Sequence, residues 1–219
     1  MTIRFDFDAA VVGAGAVGLA TGYRLAQAGL SVVVLEKERH IGQGVSSRNS
    51  EVIHGGLYYP TGSLKARLCV EGRRALYGFL EQHAVAFERC GKIVVATVED
   101  EVEHVEAIGR QAEINGVEGL ERLTADQVHA LEPQARAVMG LYSPQTGIFD
   151  THGYMLALQG EIEALGGVVA LDAPLLAAEP LAEGFRLTTG GADPAALTVK
   201  RLVIAAGLGA QDAAATVQD

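Results

Sequence analysis

Cysteine and positive charge are both scarce in this sequence. Its two cysteines, Cys69 and Cys90, are too few for a disulfide framework, and their small number fits a reducing compartment. The chain carries 17 basic and 27 acidic residues, which gives a net charge of −10. Nucleic-acid binding is therefore not expected, because a phosphate backbone requires a basic face. The spacings of Cys and His that are typical of zinc sites are also missing, so we predict no metal site.

Long apolar runs are missing too. The apolar stretch Ala9–Ala20 has 12 residues, three of them glycine, which is too short to span a bilayer. The N-terminal sequence MTIRFDFD lacks the basic segment of a signal peptide. We therefore expect a cytoplasmic protein without a transmembrane segment, and leave peripheral association with a membrane open. No G-x-S-x-G motif and no P-loop occurs.

What the sequence does contain, near its start, is a glycine-rich βαβ pattern. The apolar run Ala9–Val12 predicts a buried parallel strand, and Ser31–Leu35 predicts a second one. A helix ending near Ala28 is expected between them. The first strand is followed by G-x-G-x-x-G, and the second ends at Glu36, which is 18 residues after the last of these glycines. This order of elements is the context that a dinucleotide-binding motif requires.

Each part of this motif has a physical role. Gly13 permits a tight turn, Gly15 lets the backbone approach a pyrophosphate, and Gly18 lets the helix pack closely on the strand. The free N–H groups and the dipole of the helix N-terminus favour phosphate. Glu36 can accept hydrogen bonds from both ribose hydroxyls and would repel a 2′-phosphate. The motif alone does not distinguish FAD from NAD.

A second loop, Gly42–Tyr59, follows this pattern directly. Ser46, Ser47, Asn49 and Ser50 can donate hydrogen bonds to a pyrophosphate or to ring heteroatoms. The two glycines that follow in IHGGLYY allow the backbone to approach a flat ring. A simple NAD enzyme does not need such a loop.

Other signals predict local structure further along the chain. Ser63 is a candidate N-cap, and Thr124 with Gln127 forms a candidate capping box. The segment Met139–Phe149, with SPQTG as its turn, predicts a β-hairpin. A helix and then four strands are expected at Thr151–Gly166, Val168–Leu171, Leu175–Glu179, Phe185–Thr189 and Leu197–Ala206.

Several stretches together identify a family. The chain contains SSRNSEVIHGGLYYP from Ser46, SLKARLCVEG from Ser63, CGKIVVAT from Cys90, SPQTGIFDTHGYMLAL from Ser143 and LVIAAGLGAQ from Leu202. With the glycine motif, these segments closely resemble the FAD-dependent oxidoreductases of the D-amino-acid oxidase superfamily. Within it the resemblance is to L-2-hydroxyglutarate dehydrogenase/oxidase-like proteins.

The resemblance implies FAD as the cofactor and a set of site residues. His54 would lie at the reactive end of the flavin as the catalytic residue; a structural histidine bonded to the backbone is the alternative. The implied cofactor-binding residues are Gly13, Gly15, Ala16, Val17, Gly18, Glu36, Lys37, Gly44, Ser46, Ser47, Arg48, Asn49, Ser50, Leu175, Ala206 and Gly207.

The resemblance also implies the fold class, which is α/β. We expect a Rossmann-like FAD-binding domain of the glutathione-reductase/D-amino-acid-oxidase type with part of an inserted α+β substrate domain. Residues 1–83 and 151–219 would form the FAD-binding domain, incomplete at its C-terminus, and residues 84–150 a portion of the substrate domain. Because members of the family continue beyond the position of Asp219, we expect the chain to be the N-terminal part of an enzyme.

The expected reaction is oxidation of an L-2-hydroxy acid, with L-2-hydroxyglutarate as the first choice, to the 2-oxo acid by hydride transfer to flavin. Residues 42–80 hold five basic and two acidic residues, a local charge of +3 that suits a carboxylate substrate. The electron acceptor is left open among oxygen, a quinone and a protein. Alternatives are oxidation of an amino acid, an amine or glycerol 3-phosphate, a pyridine-nucleotide enzyme without flavin, and a non-catalytic FAD-binding fragment.

Overall fold

The computed structural model describes residues 4–217, which form two compact units. Unit 1 comprises the chain up to Asn49 and again from Thr151 onward, and unit 2 comprises Ser50–Asp150. The predicted boundary at residues 83/84 differs from this division. The 19-residue helix Leu64–Gln82 belongs to unit 2, because its buried face, which includes Val70, packs in the core of that unit.

Unit 1 contains the predicted βαβ start and the C-terminal strands. Its elements are β1 (Phe7–Val12), α1 (Ala16–Gln27), β2 (Val32–Leu35), α5 (Thr151–Ala164), β9 (Val168–Ala170), β10 (Leu175–Pro180), β11 (Phe185–Thr189), β12 (Ala196–Ile204) and α6 (Ala210–Ala215). The six strands form one sheet in the order β10-β11-β12-β1-β2-β9. Strands β12, β1, β2 and β9 run parallel, whereas β10, β11 and β12 pair antiparallel.

Close packing in unit 1 depends on small residues and buried aliphatic side chains. Strand β2 reads VVVL and is buried along its whole length, as expected for a central parallel strand. A Cβ at Gly22 of α1 would lie 2.9 Å from Val34 Cγ2 and 3.2 Å from Ile162 Cδ1. This glycine therefore lets α1 approach both β2 and α5.

Unit 2 is built from two small antiparallel sheets and three helices. Its elements are β3 (Val52–Ile53), α2 (Leu64–Gln82), β4 (Phe87–Glu88), β5 (Lys92–Ala96), α3 (Val102–Ile114), β6 (Glu121–Thr124), α4 (Ala125–Leu131), β7 (Met139–Ser143) and β8 (Gly147–Phe149). The sheet orders are β3-β8-β4 and β5-β7-β6. A core that includes Leu57, Val105 and Leu141 packs inside the unit.

Both predicted helix caps are confirmed. The Ser63 hydroxyl accepts a hydrogen bond from the Ala66 N–H at 3.1 Å at the start of α2. Thr124 and Gln127 form a complete capping box at the start of α4. The predicted hairpin is wrong: β7 pairs with β5 and β6, whereas β8 pairs with β3 and β4. The SPQTG turn sends the chain from one sheet to the other instead of folding it back on itself.

Within residues 4–217, no helix combines the length and the apolar character that crossing a membrane requires.

Candidate functional site

A long cleft lies in unit 1 at the carboxyl ends of the parallel strands. Val12, Leu35 and Ile204, at the ends of β1, β2 and β12, line it. Ligands of open α/β sheets bind at this edge. The cavity volume is about 1080 Å³, at the upper end of the range of about 300–1,000 Å³ for ligand pockets. The cleft is therefore large enough for a dinucleotide.

The glycine motif shapes the base of this cleft. Gly13 has φ +106°, and a Cβ there would lie 2.6 Å from the Ala205 carbonyl oxygen. A Cβ at Gly18 would lie 1.8 Å from the Gly13 carbonyl oxygen, and one at Gly15 would lie 2.9 Å from Ser46 Oγ. Gly13 thus lets the end of β12 pack against the turn, and Gly18 lets α1 do so. Gly15 keeps the cleft surface free of a side chain.

Glu36 lies at the end of β2 and is only 8% exposed. Its Oε2 accepts a hydrogen bond from the Ala14 N–H at 2.7 Å, and its Oε1 accepts one from the Glu38 N–H at 3.0 Å. Each carboxylate oxygen can accept a further hydrogen bond. Glu36 therefore holds the glycine turn in place and keeps the capacity to bind two ligand hydroxyls.

The N-terminus of α1 faces the Val45–Ser47 turn of 3₁₀ helix. Ser46 Oγ accepts a hydrogen bond from the Ala16 N–H at 3.0 Å, the first N–H of the helix. Arg48 also lines the cleft, and within residues 4–217 its Nη1 donates only to Ser47, at 3.3 Å to the carbonyl oxygen. A hydroxyl, a guanidinium and the positive end of the helix dipole form a suitable environment for a phosphate.

The structure brings eleven of the sixteen predicted cofactor residues together at the cleft: Gly13, Gly15, Val17, Glu36, Lys37, Gly44, Ser46, Arg48, Leu175, Ala206 and Gly207. Ala16 contributes the N–H just described, and Gly18 acts through packing. The Ser47 hydroxyl donates to the Gly44 carbonyl oxygen at 2.9 Å, and the Asn49 amide donates to the Ser46 carbonyl oxygen at 2.6 Å. These two side chains shape the loop, and Ser50 lies in unit 2.

Sequence reasoning missed part of the cleft. The missed lining residues include Glu38, Gln43, Val45, Ala173, Pro174 and six residues of the segment that contains α6, namely Leu208, Gly209, Ala210, Asp212, Ala213 and Thr216. The signal for that segment was its position directly after the AAG that follows β12. Val17, Val45 and Leu208 are 72%, 56% and 92% exposed, so they form an apolar border to the cleft.

His54 lies in unit 2, directly after β3, and is exposed. Its backbone carbonyl oxygen lies 3.5 Å from Cys69 Sγ, which donates to it. Burial raises the pKa of the Cys69 thiol and also that of the Tyr59 hydroxyl. The next residue, Gly55, is buried, and a Cβ there would lie 2.9 Å from Ser143 Oγ. The backbone of the loop is therefore anchored while the imidazole is accessible.

The sequence pattern of the FAD dependent oxidoreductase family matches residues 8–219. The chain belongs to this family. The predicted family, the predicted fold class and the predicted cofactor, FAD, are thereby confirmed.

Several curated relatives are named L-2-hydroxyglutarate dehydrogenase. The mitochondrial L-2-hydroxyglutarate dehydrogenase of Arabidopsis thaliana is 42% identical over 69% of this chain and 31% of its own length. The mitochondrial enzyme of Homo sapiens is 37% identical over 75% of this chain and 36% of its own length. The L-2-hydroxyglutarate dehydrogenase of Indibacter alkaliphilus is 37% identical over 80% of this chain and 44% of its own length. The aligned part of the chain thus spans less than half of each of these relatives.

Solved structures share the fold. The L-alpha-glycerophosphate oxidase of Mycoplasma pneumoniae, with FAD bound, superposes with a TM-score of 0.83 at 23% identity, over 91% of this chain and 54% of that one. The glycine oxidase of Geobacillus kaustophilus also superposes with a TM-score of 0.83, at 24% identity, over 97% of this chain and 58% of that one. The cleft fits FAD because it combines dinucleotide size, a glycine turn, a helix N-terminus and a buried acid at the strand end.

Proposed function

We propose that the protein uses FAD to oxidise an L-2-hydroxy acid, L-2-hydroxyglutarate, to the 2-oxo acid. The observation that carries this proposal is the identity of 35–42% to L-2-hydroxyglutarate dehydrogenases over two thirds or more of the chain. The solved structures are below 25% identical, so they support the fold and do not favour any other substrate.

In this proposal FAD binds along the cleft of unit 1. Glu36 accepts hydrogen bonds from the adenosine ribose, on the sides of its oxygens that the Ala14 and Glu38 N–H groups leave free. The pyrophosphate lies at the N-terminus of α1, beside Ser46 and Arg48. Leu175 and Ala206–Gly207 complete the binding surface, and unit 2 contributes to the substrate domain.

The chemistry that FAD supplies when bound is acceptance of two electrons as a hydride. Conversion of a 2-hydroxy acid to a 2-oxo acid requires loss of a hydride from C2 and of a proton from the 2-hydroxyl. We assign the proton to His54, whose neutral imidazole can accept it as a general base. The anchored backbone of the His54–Gly55 segment would hold this imidazole in a defined position.

The relatives from Homo sapiens and Arabidopsis thaliana are named as mitochondrial. A cytoplasmic location for the present chain therefore stays a prediction, and the electron acceptor stays open among oxygen, a quinone and a protein.

The test is anaerobic mixing of the FAD-loaded protein with candidate donors. We expect L-2-hydroxyglutarate to bleach the flavin absorbance and to yield 2-oxoglutarate in equal amount. The D-enantiomer, glycine and glycerol 3-phosphate serve as controls with no expected bleaching. Faster bleaching by any of these three would overturn the proposed substrate.

A further inference from the structure

Unit 2 contains nine basic side chains, which differ in their charge partners. Lys65 and Lys92 place their ammonium groups over tyrosine rings, and within residues 50–150 neither forms an ion pair with a carboxylate. Arg136 is exposed and has neither kind of partner in that range. Six arginines do pair with carboxylates of the unit: Arg67, Arg73, Arg74, Arg89, Arg110 and Arg122. The two lysines thus carry positive charges that are ordered but not neutralised.

The Lys92 ammonium is held in one place by an aromatic ring. Its Nζ lies 4.5 Å from the centroid of the Tyr58 ring, and Tyr58 is 45% exposed. A ring face attracts a cation but carries no negative charge that would neutralise it. The ammonium keeps N–H donors that point away from the ring. Such a cation is oriented for an incoming anion and loses little side-chain freedom when it binds one.

Lys92 also lies next to the strand that supports the His54 loop. The β5–β7 register pairs Lys92 with Ser143. The backbone of Gly55 packs so closely on this region that a Cβ there would lie 2.9 Å from Ser143 Oγ and 3.0 Å from Thr146 Oγ1. Tyr58, which holds the lysine, follows in the same loop. The structure therefore groups an oriented cation with the histidine of the candidate site.

We propose that Lys92, oriented by Tyr58, is a specificity residue that binds the substrate carboxylate remote from C2. The inference rests on the proposed function and extends it: the site prefers 2-hydroxy dicarboxylates over monocarboxylates of equal length. Lys65 on Tyr59 adds a second positive charge to the same loop, at 4.5 Å between Nζ and ring centroid. The remote carboxylate takes no part in the reaction, so Lys92 acts on binding and not on the chemical step.

The test is calorimetric titration of the FAD-loaded holoenzyme with glutarate and with pentanoate. The two probes share one carbon chain and differ in the second carboxylate. We expect Lys92→Met to weaken glutarate binding by about 10- to 100-fold, the usual effect of losing a charge-assisted hydrogen bond. Pentanoate binding should stay the same. Lys92→Arg should restore most of the glutarate affinity, because it keeps the cation.

Two further variants separate orientation and bulk charge from direct binding. Tyr58→Leu removes the ring and leaves the lysine, so glutarate binding should weaken by only about 2- to 5-fold. Arg136→Met removes an equal charge from another exposed site of unit 2 and should change nothing. Melting temperatures of all variants establish that each one is folded.

The outcomes separate this inference from the proposed reaction. Equal effects of Lys92→Met on glutarate and pentanoate, an effect no larger than that of Arg136→Met, or no glutarate binding by wild type would each overturn the inference. If glutarate binds through Lys92 but L-2-hydroxyglutarate does not reduce the flavin, the inference stands and the proposed reaction is wrong. If L-2-hydroxyglutarate reduces the flavin of wild type and of Lys92→Met with the same KM, the reaction stands and Lys92 has no role in specificity.

Discussion

Glu36 shows how one residue can serve both the fold and the ligand. Its carboxylate bonds two backbone N–H groups, on Ala14 and Glu38, and also lines the cleft. We expect Glu36→Ala to weaken FAD binding by about 10- to 100-fold, because charge-assisted hydrogen bonds are lost and the glycine turn loses its anchor. Titration of the apoprotein with FAD, followed by flavin fluorescence, measures this.

Glu179→Ala is the matched control for that change. Glu179 lies in unit 1 outside the cleft, and its carboxylate forms an exposed ion pair with Arg186 at 3.6 Å. FAD affinity should stay at the wild-type value in this variant. An unchanged affinity in Glu36→Ala would show that the βαβ motif is not the adenosine site.

His54 is the residue on which the proposed chemistry depends. We expect His54→Ala to lower turnover of the FAD-loaded enzyme by about 10²- to 10⁴-fold, the usual contribution of a general base. Rapid-mixing measurements of flavin reduction in wild type and in the variant provide this value.

The control for His54 is His129→Ala, which changes an exposed histidine of α4 in the same unit. Flavin reduction in the control should match wild type. A His54→Ala enzyme that reduces its flavin at the wild-type rate would make His54 a structural loop residue. Loss of FAD from that variant would instead make it a cofactor ligand.

At the scale of elements, an ionic contact connects α2 to the segment after α3. Glu118 Oε2 accepts a hydrogen bond from Arg73 Nη2 at 2.5 Å, and its Oε1 accepts one from Arg74. Arg73 is 4% exposed, and its Nε and Nη1 have no partner among the described residues. Removing the carboxylate would leave a buried guanidinium without its counter-charge.

We expect Glu118→Gln to lower the free energy of unfolding by about 2 kcal/mol, between the costs of breaking buried and exposed pairs, since only one partner is buried. Arg74→Gln, which removes the exposed partner, should cost under about 1 kcal/mol. Urea denaturation of the two variants and of wild type gives these values. Equal losses in both variants would contradict the role assigned to buried Arg73.

The same contact has a predictable pH dependence. Desolvation raises the pKa of Glu118, but hydrogen bonds from Arg73 and Arg74 outweigh it, so the net shift is downward. The contribution to stability is therefore complete above the carboxyl's unfolded pKa of about 4.3 and is lost as the pH falls through the lower folded pKa. The stability difference between wild type and Glu118→Gln should shrink in that acidic range.

At the scale of the whole molecule, unit 2 is an insertion between two segments of one sheet. The residues at the junctions are close: Thr151 Oγ1 donates to Asn49 Oδ1 at 3.2 Å. The strands of unit 1 come from both segments and share a core that includes Ala10, Val33, Leu187 and Val199. A short loop can therefore connect Asn49 to Thr151.

We expect a chain with residues 50–150 replaced by a short Gly/Ser loop to fold and to unfold cooperatively, because the core around Ala10, Val33 and Leu187 is formed by residues of unit 1. Circular dichroism and thermal unfolding test this. As a control, Val34→Asp in the same shortened chain should abolish folding, since Val34 is 0% exposed. A shortened chain that stays unfolded would show that unit 1 depends on unit 2.

Sequence alone determined the features that are encoded locally. The βαβ start followed from apolar runs, three glycines and a terminal acid that all lie within 30 residues of each other. The caps at Ser63 and Thr124 followed from side chains that bond backbone only three positions away. The family followed from motifs that are contiguous in the chain.

Only the tertiary structure decided what depends on partners distant in sequence. The segment Met139–Phe149 has the local pattern of a hairpin, yet its strands join different sheets because each finds a better partner far along the chain. The compact units divide at Asn49/Ser50 and not at the end of a helix, because packing between residues distant in sequence defines such a unit. Likewise, nothing in the sequence places Lys92 on Tyr58, 34 positions earlier, since a cation and a ring meet only when the loop and the strand fold together.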